Sequence, residues 1–238
     1  MTTGTFDQIT QDDLRAAGSL KWTNFPDMIG AFVAEMDFGL APAINSAVKD
    51  ALDLGVTGYL PEKLAKDLSQ ATARWYSDSY GWEISPERVH HVPDVIAAFE
   101  LAIEHFTTPG SAIIVPTPAY MPFLLVPPMH DRRVIEVPSI EVDGRWVMDL
   151  DAVAQAFRDG GEMLVLCNPH NPLGTVATRD ELLAIASVVT DAGGRVFSDE
   201  IHAPIVYAPA QHIPYASVSE AARRRWARGS RRRTPGLR

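Results

Sequence analysis

Apolar positions recur along this chain in two alternating rhythms. From Pro42 onward, Ile44, Ala47, Val48, Ala51 and Leu52 return at helical spacing until Gly55, which predicts an amphipathic helix stopped by a glycine. A second helical stretch covers residues 62–80 and closes at Gly81. Short apolar runs and helical runs then take turns. Residues 89–92 are apolar at their ends and short enough for a strand. Residues 112–115, 133–137 and 163–166 read as buried strands, and Val196 and Phe197 lead a further one that finishes at Asp199. Between them, Asp94 can cap a helix carrying Val95, Ile96, Phe99, Leu101, Ala102 and Ile103. Asp149 opens another through Phe157. Thr178 and Glu181 form a capping box for a helix with Leu182, Ile185, Ala186 and Val189 on its apolar face, ended by Gly193 and Gly194. Residues 1–40 show few periodic signals and read as an arm.

Such alternation requires crossover connections, and so predicts an α/β fold: a mostly parallel sheet with helices on both faces. Sheets of this kind bind ligands beyond the carboxyl ends of their strands. The polar clusters fall there. Tyr120 follows the strand ending near Val115, Asn168 and Asn171 follow the one ending near Leu166, and Asp199, Glu200 and His202 follow the strand led by Val196.

Composition narrows the classes. The chain has 238 residues, 46% hydrophobic and 21% charged, which suits a soluble globular protein with one large α/β domain. The first ten residues carry no basic stretch followed by an apolar run, so no secretory leader is expected. No apolar run approaches the length of a membrane span. The single Cys167 cannot form an internal disulfide, and a reducing cytoplasm is the expected compartment. The net charge of −9 is uneven: residues 223–238 hold eight arginines and no acid, and setting those eight positive charges aside leaves −17 for residues 1–222. An acidic body does not suggest a nucleic-acid partner; the tail, alone, would.

Two segments carry candidate chemistry. Asn168-Pro169-His170-Asn171-Pro172-Leu173-Gly174 lies between a buried strand and a capped helix. Proline fixes φ and biases the residue before it away from helix, so the plain reading is a stiff strand-to-helix turn. In Ser198-Asp199-Glu200-Ile201-His202, Asp199 is either a cap at a strand end or a carboxylate placed to bind a cation. Together the two segments, with Asp199 25 residues after Gly174 and one capped helix between, resemble the fold-type I, class I/II aminotransferase family. The likeness is narrower to its cystathionine β-lyase-like carbon–sulfur lyase branch. Further segments are similar to that branch: Ala34-Glu35-Met36-Asp37-Phe38, with Glu35 where the family usually has Asp; Gly58-Tyr59; Thr117-Pro118-Ala119-Tyr120-Met121-Pro122-Phe123; and His212-Ile213-Pro214.

The resemblance implies a pyridoxal 5'-phosphate cofactor, which accepts the electron pair left at the substrate Cα and does so best with its ring nitrogen protonated. By resemblance Asp199 stabilises that protonated nitrogen. Asn171 bonds the phenolic oxygen, Tyr120 stacks on the ring, and His202 stands near the phenolic oxygen where related families place a hydroxyl. The phosphate is expected at the N-terminus of the helix that Asp94 and Val95 open. Family members often have a small residue in place of Asp94, so the backbone N–H groups of Val95 and Asp94 are the expected ligands, with the Asp94 carboxylate turned back to cap the helix. Tyr59 is expected to reach the phosphate of a neighbouring subunit, which implies a homodimer. The expected reaction is β-elimination from a small sulfur-containing amino acid, and transamination is the alternative.

The pattern departs from the family at one end. The family continues past H-I-P to S-x-S-K, whose lysine holds the cofactor as a Schiff base. Here the lysines are Lys21, Lys49, Lys63 and Lys66 alone. Ser230-Arg231 is no substitute, because a guanidinium stays protonated near neutral pH. The expected organisation is an arm or part of a small domain over 1–40, a cofactor-binding large domain cut short over 41–220, and an aberrant basic tail over 221–238. The abrupt change from an acidic body to an acid-free, arginine-rich end is what a frameshift in a GC-rich gene produces. A sheet cut short would leave a strand edge uncovered and make the isolated chain poorly soluble. A non-catalytic binding protein is the rival reading, and a nucleic-acid binder acting through the tail ranks below it.

Overall fold

The computed structural model describes residues 7–227; residues 1–6 of the arm and 228–238 of the basic tail lie outside the described residues. The described residues fall into two compact units, divided between Leu60 and Pro61.

The first unit holds α1 (Gln11–Ala17), α2 (Leu20–Thr23) and α3 (Pro42–Asp53). The first two helices are too short for a periodic pattern to announce. A reciprocal capping box between Thr10 and Asp13 starts α1. Lys21 and Trp22 of α2 are clamped by the acidic segment that follows. Lys21 Nζ donates to Asp37 Oδ2 at 2.7 Å and to the Glu35 carbonyl at 3.1 Å, and Trp22 Nε1 donates to Asp37 Oδ1 at 2.8 Å. Gly30 allows the close approach, since a Cβ there would stand 2.6 Å from the Lys21 carbonyl oxygen. In α3, Ile44, Val48 and Leu52 remain exposed.

The second unit begins with α4 (Glu62–Tyr80), closed by Gly81 in the left-handed conformation. It continues through α5 (Val95–Phe106), β1 (Ala112–Thr117), α6 (Pro122–Met129), β2 (Arg133–Pro138), β3 (Ile140–Val142), β4 (Arg145–Val147), α7 (Leu150–Arg158), β5 (Gly161–Cys167), α8 (Arg179–Asp191), β6 (Arg195–Asp199) and α9 (Glu220–Ala227). Four strands form a parallel sheet in the order β2-β1-β5-β6. Along β5, Leu164 and Leu166 turn to one face and Met163, Val165 and Cys167 to the other. The first face packs on α7 and α8 through Val153, Phe157, Leu182, Ile185 and Val189, joined by Tyr215 and Ala222. The second packs on α5 and α6 through Phe99, Ile103, Phe123 and Val126. Helices therefore cover both faces, as the alternating pattern requires. Each fully buried Phe, Ile or Leu in these layers contributes about 1.5–3 kcal/mol.

Four features differ from the sequence reading. Strand β2, expected to be buried, is outermost among the described strands and buries only Val137. Residues 89–92 form no ladder; they follow the 3-10 turn Pro86–Arg88 as unpaired extended chain. Strands β3 and β4 make an antiparallel hairpin outside the main sheet, with Asp143 and Gly144 both at positive φ in its turn. Helix α6 forms despite Pro127 and Pro128 in its interior, because Phe123 and Val126 are buried in the α5 layer.

Helix α5 is held firmly at its C-terminus. The buried Arg132 guanidinium donates to Thr107 Oγ1 at 3.0 Å and to the carbonyls of Thr107 and Ile103 at 3.0 and 3.3 Å. A cation there complements the negative end of the helix. A short turn then leads into the start of β1, with Thr108 N–H donating to Glu162 Oε2 at the start of β5. The C-terminus of α5 thus lies at the amino ends of the strands. Its twelve residues span about 18 Å, which carries Asp94 and Val95 toward the carboxyl ends.

Candidate cofactor site

The register brings three strand ends level. Ile114 pairs with Leu164 and Cys167 pairs with Asp199, and β1 ends at Thr117, three residues beyond Ile114, as β5 ends at Cys167, three beyond Leu164. The loops that leave this edge carry Tyr120, Asn168, Asn171 and His202, and the N-terminus of α5 points to it.

Asp199 is 5% exposed. Val196 packs in the α7–α8 layer and Phe197 against the α5 layer, so alternation turns Asp199 to the α5 side. Its Oδ1 accepts the Ile201 N–H at 3.0 Å, and its carbonyl accepts the Asn168 N–H at 2.9 Å. Burial pushes the Asp199 carboxyl above the ordinary carboxylate range, against the pull of the Ile201 N–H and the nearby His202. A buried carboxylate in this state is short of a cationic partner.

The N-P-H-N-P-L-G loop is tied down at several points. Asn168 Oδ1 accepts the Ala177 N–H at 2.9 Å, the His170 N–H reaches the Thr175 carbonyl at 2.8 Å, and the Gly174 N–H reaches the His170 carbonyl at 2.8 Å. Cys167 Sγ donates to the Pro169 carbonyl at 3.5 Å and accepts the Asn171 N–H at 3.4 Å. That thiol sets where Asn171 leaves the strand. The Asn168 amide nitrogen is buried without a partner among the described residues. Burial lowers the His170 imidazole below its ordinary value, so the ring is neutral near pH 7.

Tyr120 is 41% exposed and meets Phe123 edge-on at 5.6 Å; Phe123 contacts Phe99, and Phe99 contacts Phe197. An aromatic row therefore joins Tyr120 to β6 on the face that Asp199 uses. At α5, Asp94 turns its carboxylate inward to accept the Ala97 N–H at 2.8 Å. The first N–H-to-carbonyl bond of the helix runs from Ala98 to Asp94, so the N–H groups of Val95 and Ile96 open the helix unclaimed by its ladder. His202 is half-buried at the start of the 3-10 turn Ala203–Ile205. Tyr59 belongs to the first unit and is fully exposed.

Two acids part company at the strand end. Asp199 faces the α5 side, whereas Glu200 folds back toward a later segment. Glu200 Oε1 accepts from Ser198 Oγ and from the Tyr215 N–H, each at 2.8 Å, and Glu200 Oε2 meets His212 Nε2 at 3.2 Å. The His212 ring packs edge-on against Tyr80 at 5.1 Å. A cavity of about 660 Å³ opens beside it, lined by Trp75, Tyr80, Trp82, Arg179 and Gln211 among others. Sequence reading singled out S-D-E-x-H and H-I-P but assigned no task to Glu200, His212 or Cys167. No local spacing reveals that residues twelve apart in sequence would pair.

The residues present fit a pyridoxal phosphate. A buried, partner-poor carboxylate suits a protonated ring nitrogen, free helix-opening N–H groups suit a phosphate, and an exposed aromatic suits a ring face. No helix among the described residues is long and apolar enough to cross a membrane, and no cluster of metal-ligating side chains occurs among them.

Comparison with known proteins agrees with this arrangement. The family model for aminotransferase class I and II matches residues 27–226. The chain is 42% identical over 212 residues to the cystathionine beta-lyase of Corynebacterium glutamicum, covering 89% of this chain and 55% of that protein. Cystalysin from Treponema denticola, whose crystal structure contains pyridoxal 5'-phosphate, superposes with a TM-score of 0.82 at 28% identity over 92% of this chain and 56% of its own. N-succinyldiaminopimelate aminotransferase from Mycobacterium tuberculosis superposes with a TM-score of 0.72 at 28% identity, over 78% of this chain and 48% of its own. The chain spans about half the length of the relatives it matches. By motif, fold and comparison alike, it belongs to the class I and II aminotransferase family.

Proposed function

We propose that this chain holds pyridoxal 5'-phosphate at the carboxyl edge of its sheet, as the cofactor-binding part of a carbon–sulfur β-lyase. The lyase would cleave the Cβ–S bond of cystathionine, cysteine or a cysteine conjugate, releasing a thiol, ammonia and pyruvate. The observation that carries this reading is Asp199: buried, at a strand end, held by a backbone N–H and pushed up by burial. When bound, the cofactor supplies an electron sink for the pair left at the substrate Cα.

The chain's own residues bind and orient. Asp199 would hold the proton on the ring nitrogen, Asn171 would bond the phenolic oxygen, with His202 nearby, and Tyr120 would lie against the ring face. The N–H groups of Asp94 and Val95, with that of Ile96 beside them, would take the phosphate, the Asp94 carboxylate being turned back onto the Ala97 N–H. In a homodimer, Tyr59 of one protomer would reach the phosphate of the other. A cytoplasmic setting suits Cys167, which is buried as a free thiol.

No lysine follows Lys66 in the sequence. None of the residues placed at this edge would hold the cofactor covalently. Through these residues alone, the chain would bind the cofactor reversibly. The stronger likeness to the beta-lyase than to the aminotransferase favours elimination as the family reaction here.

The test is an absorbance titration of the purified chain with pyridoxal phosphate, followed by borohydride reduction and intact mass. Saturable binding that Asp199→Asn weakens by at least about tenfold, the loss of one ion pair to a buried charge, with no mass gain on reduction, supports the reading. Absence of saturable binding overturns it. A mass gain of one reduced cofactor would show that an upstream lysine reaches the site.

A further inference from the structure

Among the described strands β6 is the last of the four-stranded order, and the chain leaves it at Asp199 through a turn held by several bonds. On the backbone, the turn is closed by the Ala203 N–H to the Glu200 carbonyl at 2.9 Å, and the strand end is tied to its neighbour by the Asn168 N–H at 2.9 Å. The Asp199 side chain adds the bond from Ile201. Glu200 adds three more, and they converge from different directions. Ser198 comes from the strand itself, and Tyr215 and His212 come from the segment that returns 12 to 15 residues later. The side chain of Glu200 is 12% exposed and that of His212 is 1% exposed, so these bonds form away from solvent. Glu200 Oε2 meets Nε2 of the ring, and Nδ1 is buried without a partner among the described residues. That contact fixes the ring in one orientation. The far side of the ring is braced by Tyr80.

We propose that Glu200 is a positioning residue: by holding Ser198, His212 and Tyr215 together it fixes the strand-end turn, and with it the direction in which Asp199 presents its carboxylate. Adjacent side chains of a strand leave on opposite faces, so the two acids divide the work. One faces the ligand and has few partners; the other faces away and is fully engaged. The purpose of this device rests on the cofactor reading above, but its geometry does not. The test therefore has one arm that needs no cofactor.

The Ile201 amide donates to Asp199, so its resonance in a proton–nitrogen correlation spectrum follows the ionisation of that carboxyl. The other titratable groups bearing on Asp199 or its neighbourhood are Glu200, His202 and Cys167. Glu200→Gln removes a negative charge as well as an acceptor. Glu200→Asp keeps the charge but is one methylene short of its three donors, so it separates position from charge. The expected result is that the Ile201 midpoint falls in both variants, as the loosened turn admits water to Asp199. Ser198→Ala, which removes one of the three donors and tests the same point if the Glu200 variants do not fold, should give a smaller fall. In the second arm, added pyridoxal phosphate should bind about tenfold more weakly to Glu200→Asp, the low end of what losing a supporting hydrogen bond does at other sites.

A Glu200→Asp chain whose Ile201 midpoint matches the unsubstituted one would overturn the proposal, leaving Glu200 a neighbouring charge only. If the midpoint moves but the unsubstituted chain binds no cofactor, the positioning stands and the cofactor reading falls. If the unsubstituted chain binds cofactor and Glu200→Asp matches it in both arms, the reverse holds.

Discussion

Cys167 and Asp199 are partners on the last rung of the β5–β6 ladder, and burial pushes both side chains toward their protonated forms. For Cys167 the thiol is raised to about 11, with Asp199 adding to the effect of burial. Alkylation needs the thiolate. With a thiol raised to about 11, the native chain should react with iodoacetamide at pH 8 on the order of 100-fold more slowly than the urea-unfolded chain, where Cys167 has its ordinary value near ~8.5. Mass spectrometry of timed quenches measures this. Equal rates in the two states would mean that the rung is open.

Asp199 makes a prediction with a sign. Its carboxyl is raised in the folded chain by burial, so the folded state holds that proton more tightly than the unfolded state. The stability tied to this group is fully present below the unfolded value and is lost as pH rises through the folded one. Asp199→Asn should therefore raise the melting temperature at pH 7–8, each kcal/mol appearing as about 2–4 °C for a chain of this size. The gain should vanish in acid. On the proposed cofactor reading the same substitution should weaken cofactor binding, so stability and affinity should move in opposite directions. Calorimetry at two pH values, set beside the cofactor titration, checks both.

Arg132 should be expensive to remove. Its guanidinium satisfies the final carbonyls of α5 and Thr107 Oγ1 in a buried setting. Arg132→Ala should cost roughly 3 kcal/mol in urea unfolding, the range for leaving buried partners of a charged donor unpaired. Arg132→Lys should recover less than half of that, because an ammonium cannot reproduce the planar fork.

Gly194 is a packing constraint. A Cβ there would stand 2.2 Å from Phe157 Cε1 and 2.6 Å from Cζ, and Phe157 is itself buried in the α7–α8 layer. Gly194→Ala should destabilise by about 1–3 kcal/mol through overpacking. Phe157→Leu in the same chain should relieve part of the loss, which a double-mutant cycle would show.

Much of the frame was legible because it is local. Thr178 and Glu181 announced the start of α8, and Asp94 and Asp149 announced the starts of α5 and α7; all three helices are capped as expected. Strands β1 and β5 stood out as short apolar runs and are buried, whereas β2, read the same way, buries only Val137. What was not legible depends on partners distant in sequence. Residues 89–92 have strand-like residues but no neighbour to pair with among the described residues. Helix α6 contains two prolines that local rules exclude, and tertiary burial of Phe123 and Val126 overrides them. At the site, Asp199, Asn171 and Tyr120 were visible as motif residues at strand ends. The service of Glu200 to His212 and Tyr215, and of Cys167 to Asn171, was not, because each is a contact made only after the chain returns.

On the ribosome, β1, β2, β5 and β6 emerge in that order, and β6 can join only by docking on β5. Parallel pairing is non-local and slow to form. Among the described strands, Asp199 therefore arrives last, and the segment that braces its turn, with His212 and Tyr215, arrives later still. A nascent chain halted after β5 would hold the asparagine loop but no Asp199. Affinity for the ligand would then switch on in one late step of synthesis rather than build up strand by strand.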